Sequence, residues 1–431
     1  MTSRPFDVVL WGCTGFTGKL VAKYFASQVA NRVPKLRWAL AGRSKEKLQA
    51  LVDDLDLPVP VLIASANNQD EVNQVAASTK VLLSTAGPFA KYGTPVVEAC
   101  VRSGCDYVDI NGEVGWHKRM IDLYDEAARN AGVVLIPSSG FDSIPSDLGA
   151  AYMARRVLEV SGLPTRRVSA YVDMRGAFSG GTVASGIHSE KIHGTEYLSD
   201  PFLLGGEPFT TGGLISDEHE DPKGPAFDPF INSFVAPFGM ATINTRIVRR
   251  SVGLFEEASP SYHADLYAMD FGYRERMLAP DEAAAAKMSR AALVPASKLE
   301  DLVAAGRLPS PGEGPDAETR AKSWFKFFFV AEADGPAGAS GSLSFKLAGT
   351  VSGKDPGYDE TAKMVSETAV MLATHDQEAR AEATGVRRSG FLTPATALGS
   401  LLQDRLHEEG IRFEEAPLPK GVQSPDPDSF R

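Results

Sequence analysis

Seven residues near the N-terminus, Gly12-Cys13-Thr14-Gly15-Phe16-Thr17-Gly18, have the spacing of a phosphate-binding loop. They follow the apolar run at residues 6–11 and open an amphipathic run, so a strand, a tight turn and a helix N-terminus fall in register. Gly12 can turn the chain at the strand end. Gly15 leaves room for a pyrophosphate, and Gly18 lets the helix lie close to the sheet. Free N–H groups and the positive end of the helix then face the phosphates. The contacts expected are Gly12, Thr14, Gly15, Phe16, Thr17 and Gly18. The spacing is GxxGxxG, a variant of GxGxxG, and a turn that merely needs glycine is the plainer alternative.

The end of the second strand bears on which dinucleotide binds. An acidic residue there would take the ribose 2′-hydroxyl of NAD. This chain instead has Ala41-Gly42-Arg43-Ser44-Lys45. Arg43 and Lys45 can neutralise a 2′-phosphate and Ser44 can hydrogen-bond to it, so NADP(H) is expected in preference to NAD(H). The alternative for Arg43 is a solvated cation near the helix cap. Other loops at the carboxyl ends of strands face the same crevice. Of these Thr85, Ala86, Gly87 and Pro88 are expected beside the nicotinamide-side ribose.

A nicotinamide enzyme needs a proton donor opposite the hydride. Three side chains are candidates for catalysis: Tyr92, with Lys91 beside it, His188, and Asp142 at the end of the sixth strand. Each has a bland reading: a packing tyrosine, a structural histidine, and an aspartate that caps the next helix. Cys13 sits where a helix N-terminus would favour a thiolate, although its place suits cofactor approach better than attack on a substrate. Arg249-Arg250 could hold a phosphate or carboxylate, or form a solvated strand end. No GxSxG elbow and no HExxH or other metal spacing occurs, so nucleophilic and metal catalysis are not expected.

The elements that must position these groups alternate. Short apolar runs at 6–11, 36–41, 59–63, 81–84, 107–110 and 133–137 are separated by helical runs, among them 45–55, 69–77, 95–103 and 114–131. That is an α/β pattern, a Rossmann-like doubly wound parallel sheet. From about residue 161 the rhythm becomes α+β. Strands are expected at 168–174, 324–331 and 341–352, the last two a hairpin turning at Asp334-Gly335. Helices are expected at 182–197, 280–308, 358–373 and within 384–406. The division is 1–155 for dinucleotide binding, 156–352 for substrate and dimerisation, and 353–431 for helices returning to the first domain. The acidic run 217–221 reads as a solvated loop, and the proline-containing tail beyond Glu414 as frayed or surface-draped.

The chain has 431 residues, 43% hydrophobic and 23% charged, enough for a substantial core and for two or three domains at ~150 residues each. A net charge of −11 excludes a general nucleic-acid binder. Against that background Arg43 to Lys45 is a local basic site. Three cysteines without CxxC spacing exclude a disulfide scaffold and a thiolate zinc site, and suit a reducing, cytoplasmic setting. No signal peptide is expected, and no apolar run nears the ~18 residues of a spanning helix. Exposed strands in the second half point to a homodimer.

Several segments in order are diagnostic: Gly12 to Gly18, Ala41-Gly-Arg-Ser44, Ala86-Gly-Pro-Phe89 with Tyr92-Gly93, and Gly112-Glu113. The most specific is Ser139-Gly-Phe-Asp-Ser-Ile-Pro-Ser-Asp147. Ser179 to Ser185, Asn244 to Arg250 and Gly390 to Ala395 follow. With them the chain resembles the saccharopine dehydrogenase-like oxidoreductases over residues 6 to about 402. It is most similar to the branch holding the mycobacterial trans-acting enoyl reductase and the mammalian saccharopine dehydrogenase-like oxidoreductase. The resemblance implies a Rossmann domain, an inserted substrate domain, NADP(H) or NAD(H), and reduction of an activated C=C, C=N or C=O bond in lipid or secondary metabolism. It also implies an acyl or other small-molecule substrate, with peripheral membrane or lipid-droplet contact left open. Residues 280–306 are more polar than in the mycobacterial branch, which argues against attachment there.

Two competing readings stand beside this one. The lack of a compelling acid–base constellation allows a non-catalytic, lipid-associated dinucleotide scaffold or redox sensor. Saccharopine dehydrogenase proper is disfavoured, because the second half lacks a clustered cationic site for a substrate with several carboxylates.

Overall fold

A computed structural model describes residues 4–56, 58–207, 219–335, 344–386 and 389–427. Six strands alternate with helices through the first third: β1 Phe6–Trp11, β2 Trp38–Gly42, β3 Val61–Ile63, β4 Thr79–Ser84, β5 Asp106–Asp109 and β6 Val134–Ile136. Neighbouring strands pair in parallel. Helices cover both faces, which is why β1 is apolar almost throughout rather than alternating. The long helix Val114–Ala131 has the bounds expected, closed by Gly132 in the left-handed region.

The second sheet is mixed. Its strands are β7 Thr165–Arg175, β8 Ala226–Asp228, β9 Ser233–Ala236, β10 Tyr267–Ala279, β11 Trp324–Asp334 and β12 Ser344–Gly353. Two later strands complete both sheets. Gly390–Phe391 (β13) pairs with β6 and extends the first sheet, in the order β13-β6-β5-β4-β1-β2-β3. Arg412–Ala416 (β14) pairs with β12, giving β14-β12-β11-β7-β10-β9-β8. The chain end therefore contributes to both lobes.

The helix Ile144–Ser161 packs on β7, β11 and β12 of the second sheet, is covered from the other side by later helices, and is buried along most of its length. Its Gly149 has no alternative. A Cβ there would fall 2.5 Å from the Phe329 ring of β11. Alternation on β11 sends Phe325, Phe327 and Phe329 to one buried face. Phe141, just before the helix, packs edge-on against Phe325 and Phe327, with ring centroids 5.0 and 5.8 Å away.

The returning helix Asp359–Thr374 packs on the first lobe through one ionic knot. Glu367 is sealed from solvent and receives Arg32 Nη2 (2.6 Å), Arg405 Nε (3.0 Å) and the Tyr24 hydroxyl (2.6 Å). Glu409 takes further contacts from Arg32 and Arg405. Burial and the adjacent carboxylates push the Tyr24 pKa up, so its hydroxyl stays a donor.

Several expectations are corrected. The helix expected within 384–406 is Gly399–Glu408, preceded by the short Pro394–Ala397, whereas the start of that stretch carries β13 instead. Of the tail beyond Glu414, expected as frayed or surface-draped, Glu415 and Ala416 end β14 and Ser424 Oγ accepts the Lys346 N–H, so the described part is held against the second sheet rather than frayed. The 280–308 stretch forms two helices, Glu282–Ala292 and Ala296–Ala304. The hairpin of β11 and β12 is present, while residues 336–343 between them lie outside the described residues. Arg249 and Arg250 are neither a solvated strand end nor an anion site. They are buried on the helix Ala241–Ala258 with their guanidiniums on backbone carbonyls. Of the acidic run, Asp217 and Glu218 lie outside the described residues. His219 is buried on Phe202, and Asp221 pairs with the sealed Arg246 at 2.6 Å.

Replacing Glu367 removes the sealed carboxylate of the knot and leaves Arg32 and Arg405 with the half-buried Glu409 alone as their shared partner. Because both cations are partly exposed, the low end of the range for a broken buried pair applies. Glu367→Ala is expected to cost about 3 kcal/mol, read as a lower midpoint in urea unfolding.

Candidate active site

The glycine loop is held by close approach. Gly12 has φ of 78°, and a Cβ on it would fall 2.8 Å from the Ala86 Cβ. A Cβ on Gly18 would fall 2.4 Å from the Gly12 carbonyl oxygen. Gly15 is different. It occupies the N-cap position of the helix Phe16–Tyr24, with nothing nearer to its missing Cβ than 3.4 Å and no side chain capping the helix. The first N–H groups of that helix are therefore left for an anion, and the loop fits a pyrophosphate. The bound dinucleotide would meet Gly15, Phe16 and Thr17 here.

Cys13 departs from the reading of a favoured thiolate. It is buried, it points its Sγ toward the Ala41 carbonyl at 3.5 Å, and burial pushes its pKa up to about 12. The desolvation cost outweighs the pull of the helix terminus.

At the end of β2, Ser44 caps the helix Lys45–Leu55 by accepting the Lys47 N–H (3.3 Å) and donates to Glu46 (3.0 Å). Arg43 and Lys45 are exposed beside it, and Arg43 makes no hydrogen bond or ion pair among the described residues. The guanidinium is left over for a 2′-phosphate, with Ser44 already engaged.

Side chains tie the neighbouring loops together. Thr85 Oγ1 donates to the Trp11 carbonyl (3.2 Å), joining the ends of β4 and β1. Ala86 packs on Gly12. Gly87 and Pro88 lead into the short helix Phe89–Tyr92, whose first N–H groups, on Phe89 and Ala90, are taken by the buried Glu113 carboxylate at 2.7 and 2.9 Å. Asp109 accepts from Asn111 N, Ser138 N and the Tyr107 hydroxyl, and burial raises its pKa to about 7.

A cavity of about 90 Å3 opens beside the glycine loop. Thr17, Ile110, Phe141 and Asp142 line it from the first lobe. Met174, Phe178 and Met240 close it from the second, and Tyr358 and Thr361 from the returning chain. Its walls are mostly apolar and carry no Lys, Arg or His. Phe16 meets Tyr358 edge-on at 5.0 Å, so the glycine loop and the cavity share a wall.

Asp142 is placed in this cavity and does not cap the helix as the bland reading held. Ser143 takes the N-cap position, without a side-chain bond. The residue is half-buried, but its Oδ1 is sealed and has no hydrogen-bond partner among the described residues. Burial raises its pKa to about 7. The preceding Phe141 N–H is held by Thr361 Oγ1 at 3.0 Å.

Tyr92 and His188 lie elsewhere. Tyr92 sits under Lys91, whose Nζ is 5.1 Å from the ring centroid. His188 is on the helix Gly180–Leu198 and does not line the cavity. Its neighbour His193 stacks on Tyr197 and has its pKa lowered by burial and by the charges of Arg119 and His188. Sequence reasoning missed Thr361 and Tyr358, whose hydroxyl accepts the Ser179 N–H. Both come from a helix start that carries no motif. Among the described residues no cluster of His, Cys, Asp or Glu could hold a metal, and no helix is long and apolar enough to cross a membrane.

Comparison with known proteins agrees with this geometry. Residues 8–136 match the saccharopine dehydrogenase NADP binding domain. A trans-acting enoyl reductase of Mycobacterium leprae is 32% identical over 95% of this chain and 97% of its own length. A Mycobacterium tuberculosis protein that bears the same name provisionally is 33% identical over 97% and 99%. Among solved structures, the apo saccharopine dehydrogenase (L-Glu forming) of Saccharomyces cerevisiae is 12% identical. It covers 96% of this chain and 100% of its own, at a TM-score of 0.51, a likeness of fold.

Two outcomes are expected at the cofactor loop. Arg43→Ala weakens NADPH at least tenfold and leaves NADH within about twofold, measured by fluorescence titration, since one charge-assisted contact is worth ~1.5–3 kcal/mol. Cys13 in the native protein resists alkylation at pH 8 and reacts once unfolded, as read by mass spectrometry.

Proposed function

The chain belongs to the trans-acting enoyl reductases among the saccharopine dehydrogenase-like oxidoreductases, and from that premise we propose that it reduces the C=C bond of an α,β-unsaturated acyl substrate in the cavity beside Thr17. It is an NADP-dependent oxidoreductase, and bound NADPH supplies the hydride. The observation that carries the substrate reading is the wall composition. Met174, Phe178, Met240, Phe141 and Ile110 suit an uncharged acyl chain, and Asp142 is the single carboxyl among them.

The residues of the chain divide the work. The uncapped helix start at Gly15 to Thr17 holds the pyrophosphate, and Arg43 with Lys45 holds the 2′-phosphate. Thr85 to Pro88 shape the floor near the ribose. Saccharopine metabolism is disfavoured by the same wall, because a substrate with several carboxylates needs cations that the cavity does not present. A scaffold without turnover has no use for a sealed, unpartnered acid beside the cofactor loop.

The test is NADPH oxidation with a medium-chain enoyl thioester and, separately, the reverse assay with saccharopine and NADP. Turnover is expected with the first alone, and saccharopine turnover would reverse the assignment. Met240→Glu, which places a charge in the apolar wall, is expected to lower kcat/KM for the enoyl substrate about tenfold or more while leaving NADPH affinity in place.

A further inference from the structure

We propose that Asp142 is the acid that delivers the proton completing the reduction, a role that rests on the reductive reading above. Asp142 is the only carboxyl lining the cavity. Its Oδ1 is sealed and without a partner among the described residues, and it shares the cavity with Thr17 of the cofactor loop. The other polar groups of the wall are poorer donors. Burial raises the Tyr358 pKa above the ordinary tyrosine value, against the opposite pull of the Ser179 N–H that its oxygen accepts, so it stays a far weaker acid than a carboxyl. Thr17, Thr182 and Thr361 carry alcohols, far too weak as acids at neutral pH.

Position is set from every side. Behind Asp142, Thr361 holds the Phe141 N–H. On the flank, the Gly112 backbone approaches so closely that a Cβ there would lie 3.0 Å from Asp142 Oδ2. The glycine of Gly112-Glu113 is thereby explained as clearance for the acid.

The electrostatic surroundings are acidic rather than basic. On the same turn Asp147 is held by Ser251 Oγ (2.5 Å) and the Ala395 N–H (2.8 Å). From β10 comes Glu275, whose oxygens accept from the Tyr273 hydroxyl (2.6 Å) and Asn244 Nδ2 (3.0 Å). On the helix Ala241–Ala258, Arg249 holds the carbonyls of Pro201, His219 and Tyr273 with its guanidinium, and Arg250 those of Leu204 and Phe391. On the returning segment Asp355 is occupied by the Tyr358 and Asp359 N–H groups. No cation faces Asp142 from these elements, so burial keeps its proton on up to about pH 7. Burial likewise raises Glu275 to about 7, and a charge on Asp142 raises it further. The two carboxyls therefore lose their protons in sequence, as one coupled system.

The step balances simply. Hydride addition at the β-carbon moves the C=C electron pair to the α-carbon, conjugated with the carbonyl. The O–H bond of Asp142 then breaks as a C–H bond forms at the α-carbon. Asp142 is left as a carboxylate and regains its proton from water.

The test uses the full chain with two readouts. The first is isotope-edited infrared titration with ¹³C-labelled aspartate, without cofactor. The wild type is expected to show aspartic acid C=O bands lost near pH 7, from Asp109, Asp142 and Asp147; Asp142→Asn should lack one of them and keep the other two, and in that variant the Glu275 band should titrate at lower pH. The second is the rate of enoyl reduction at saturating NADPH. The wild-type rate should fall as pH rises through about 7, because a general acid works only while protonated. Asp142→Asn should be slower by ~10²-fold or more, with that limb gone and NADPH affinity kept. A variant that retains the rate or the limb overturns the proposal and leaves the reductive function standing. So does an equally large loss in Tyr92→Phe with Asp142→Asn active. Absence of enoyl turnover in the wild type overturns both. If Asp142→Asn does not fold, the wild-type rate profile decides: a rate that does not fall as pH rises through about 7 sinks the proposal.

Discussion

The distance between one helix and one strand governs the architecture. Ile144–Ser161 can lie close on the second sheet because Gly149 offers no side chain to the Phe329 ring of β11. That contact fixes the roll of the helix, and the roll fixes its first turn. Ser143 takes the N-cap of that turn and Asp142 precedes it, so the packing of a buried glycine five residues beyond the helix start sets where an acid stands at the cavity. Phe141 adds a second constraint by inserting between Phe325 and Phe327. The segment Ser139 to Asp147 is then both a hinge pin between lobes and the floor of the site.

Buried polar groups do the rest of the joining. Asp147 binds Ser251 of the helix Ala241–Ala258 and the backbone of Ala395, linking three distant parts of the chain. Arg246, Arg249 and Arg250 reach from the same helix to carbonyls at Leu198 to Leu204, His219 and Phe391. A guanidinium has five donors in a rigid fork, so each can gather carbonyls that no single neutral side chain could satisfy. These arginines hold the irregular 199–206 stretch against the core, where regular secondary structure supplies no ladder bonds.

Local patterns made the first lobe legible. Strand, glycine turn and helix succeed each other within short windows, and every functional part of the cofactor loop lies within seven consecutive residues. The second lobe was harder because its strands pair across long separations: β7 lies beside β10 and β11, and β14 beside β12. Gly390–Phe391 illustrates the limit. Two residues cannot announce a strand by periodicity, yet they extend the parallel sheet by pairing with β6. The cavity shows the same division. Asp142 could be singled out from its motif, but Tyr358 and Thr361 enter from a helix start with no local signature. Arg249-Arg250 misled because a charged pair is ordinarily solvated, and only tertiary structure could supply the carbonyls that bury it.

The balance of charges around the cavity follows from what its walls must do. A chain with surplus acid on its surface and a basic cluster at Arg43 already separates where an anionic cofactor tail binds from where chemistry occurs. Inside the cavity a cation beside Asp142 would favour the carboxylate and draw carboxylate-bearing molecules. The available cations are instead committed elsewhere: Arg249 and Arg250 to carbonyls, Arg32 and Arg405 to Glu367. An apolar wall with one unpaired acid is the arrangement in which burial alone keeps a proton in place near neutral pH. The fold achieves this by spending its buried cations on holding the lobes together, so the same residues that assemble the two sheets also keep the cavity free of positive charge.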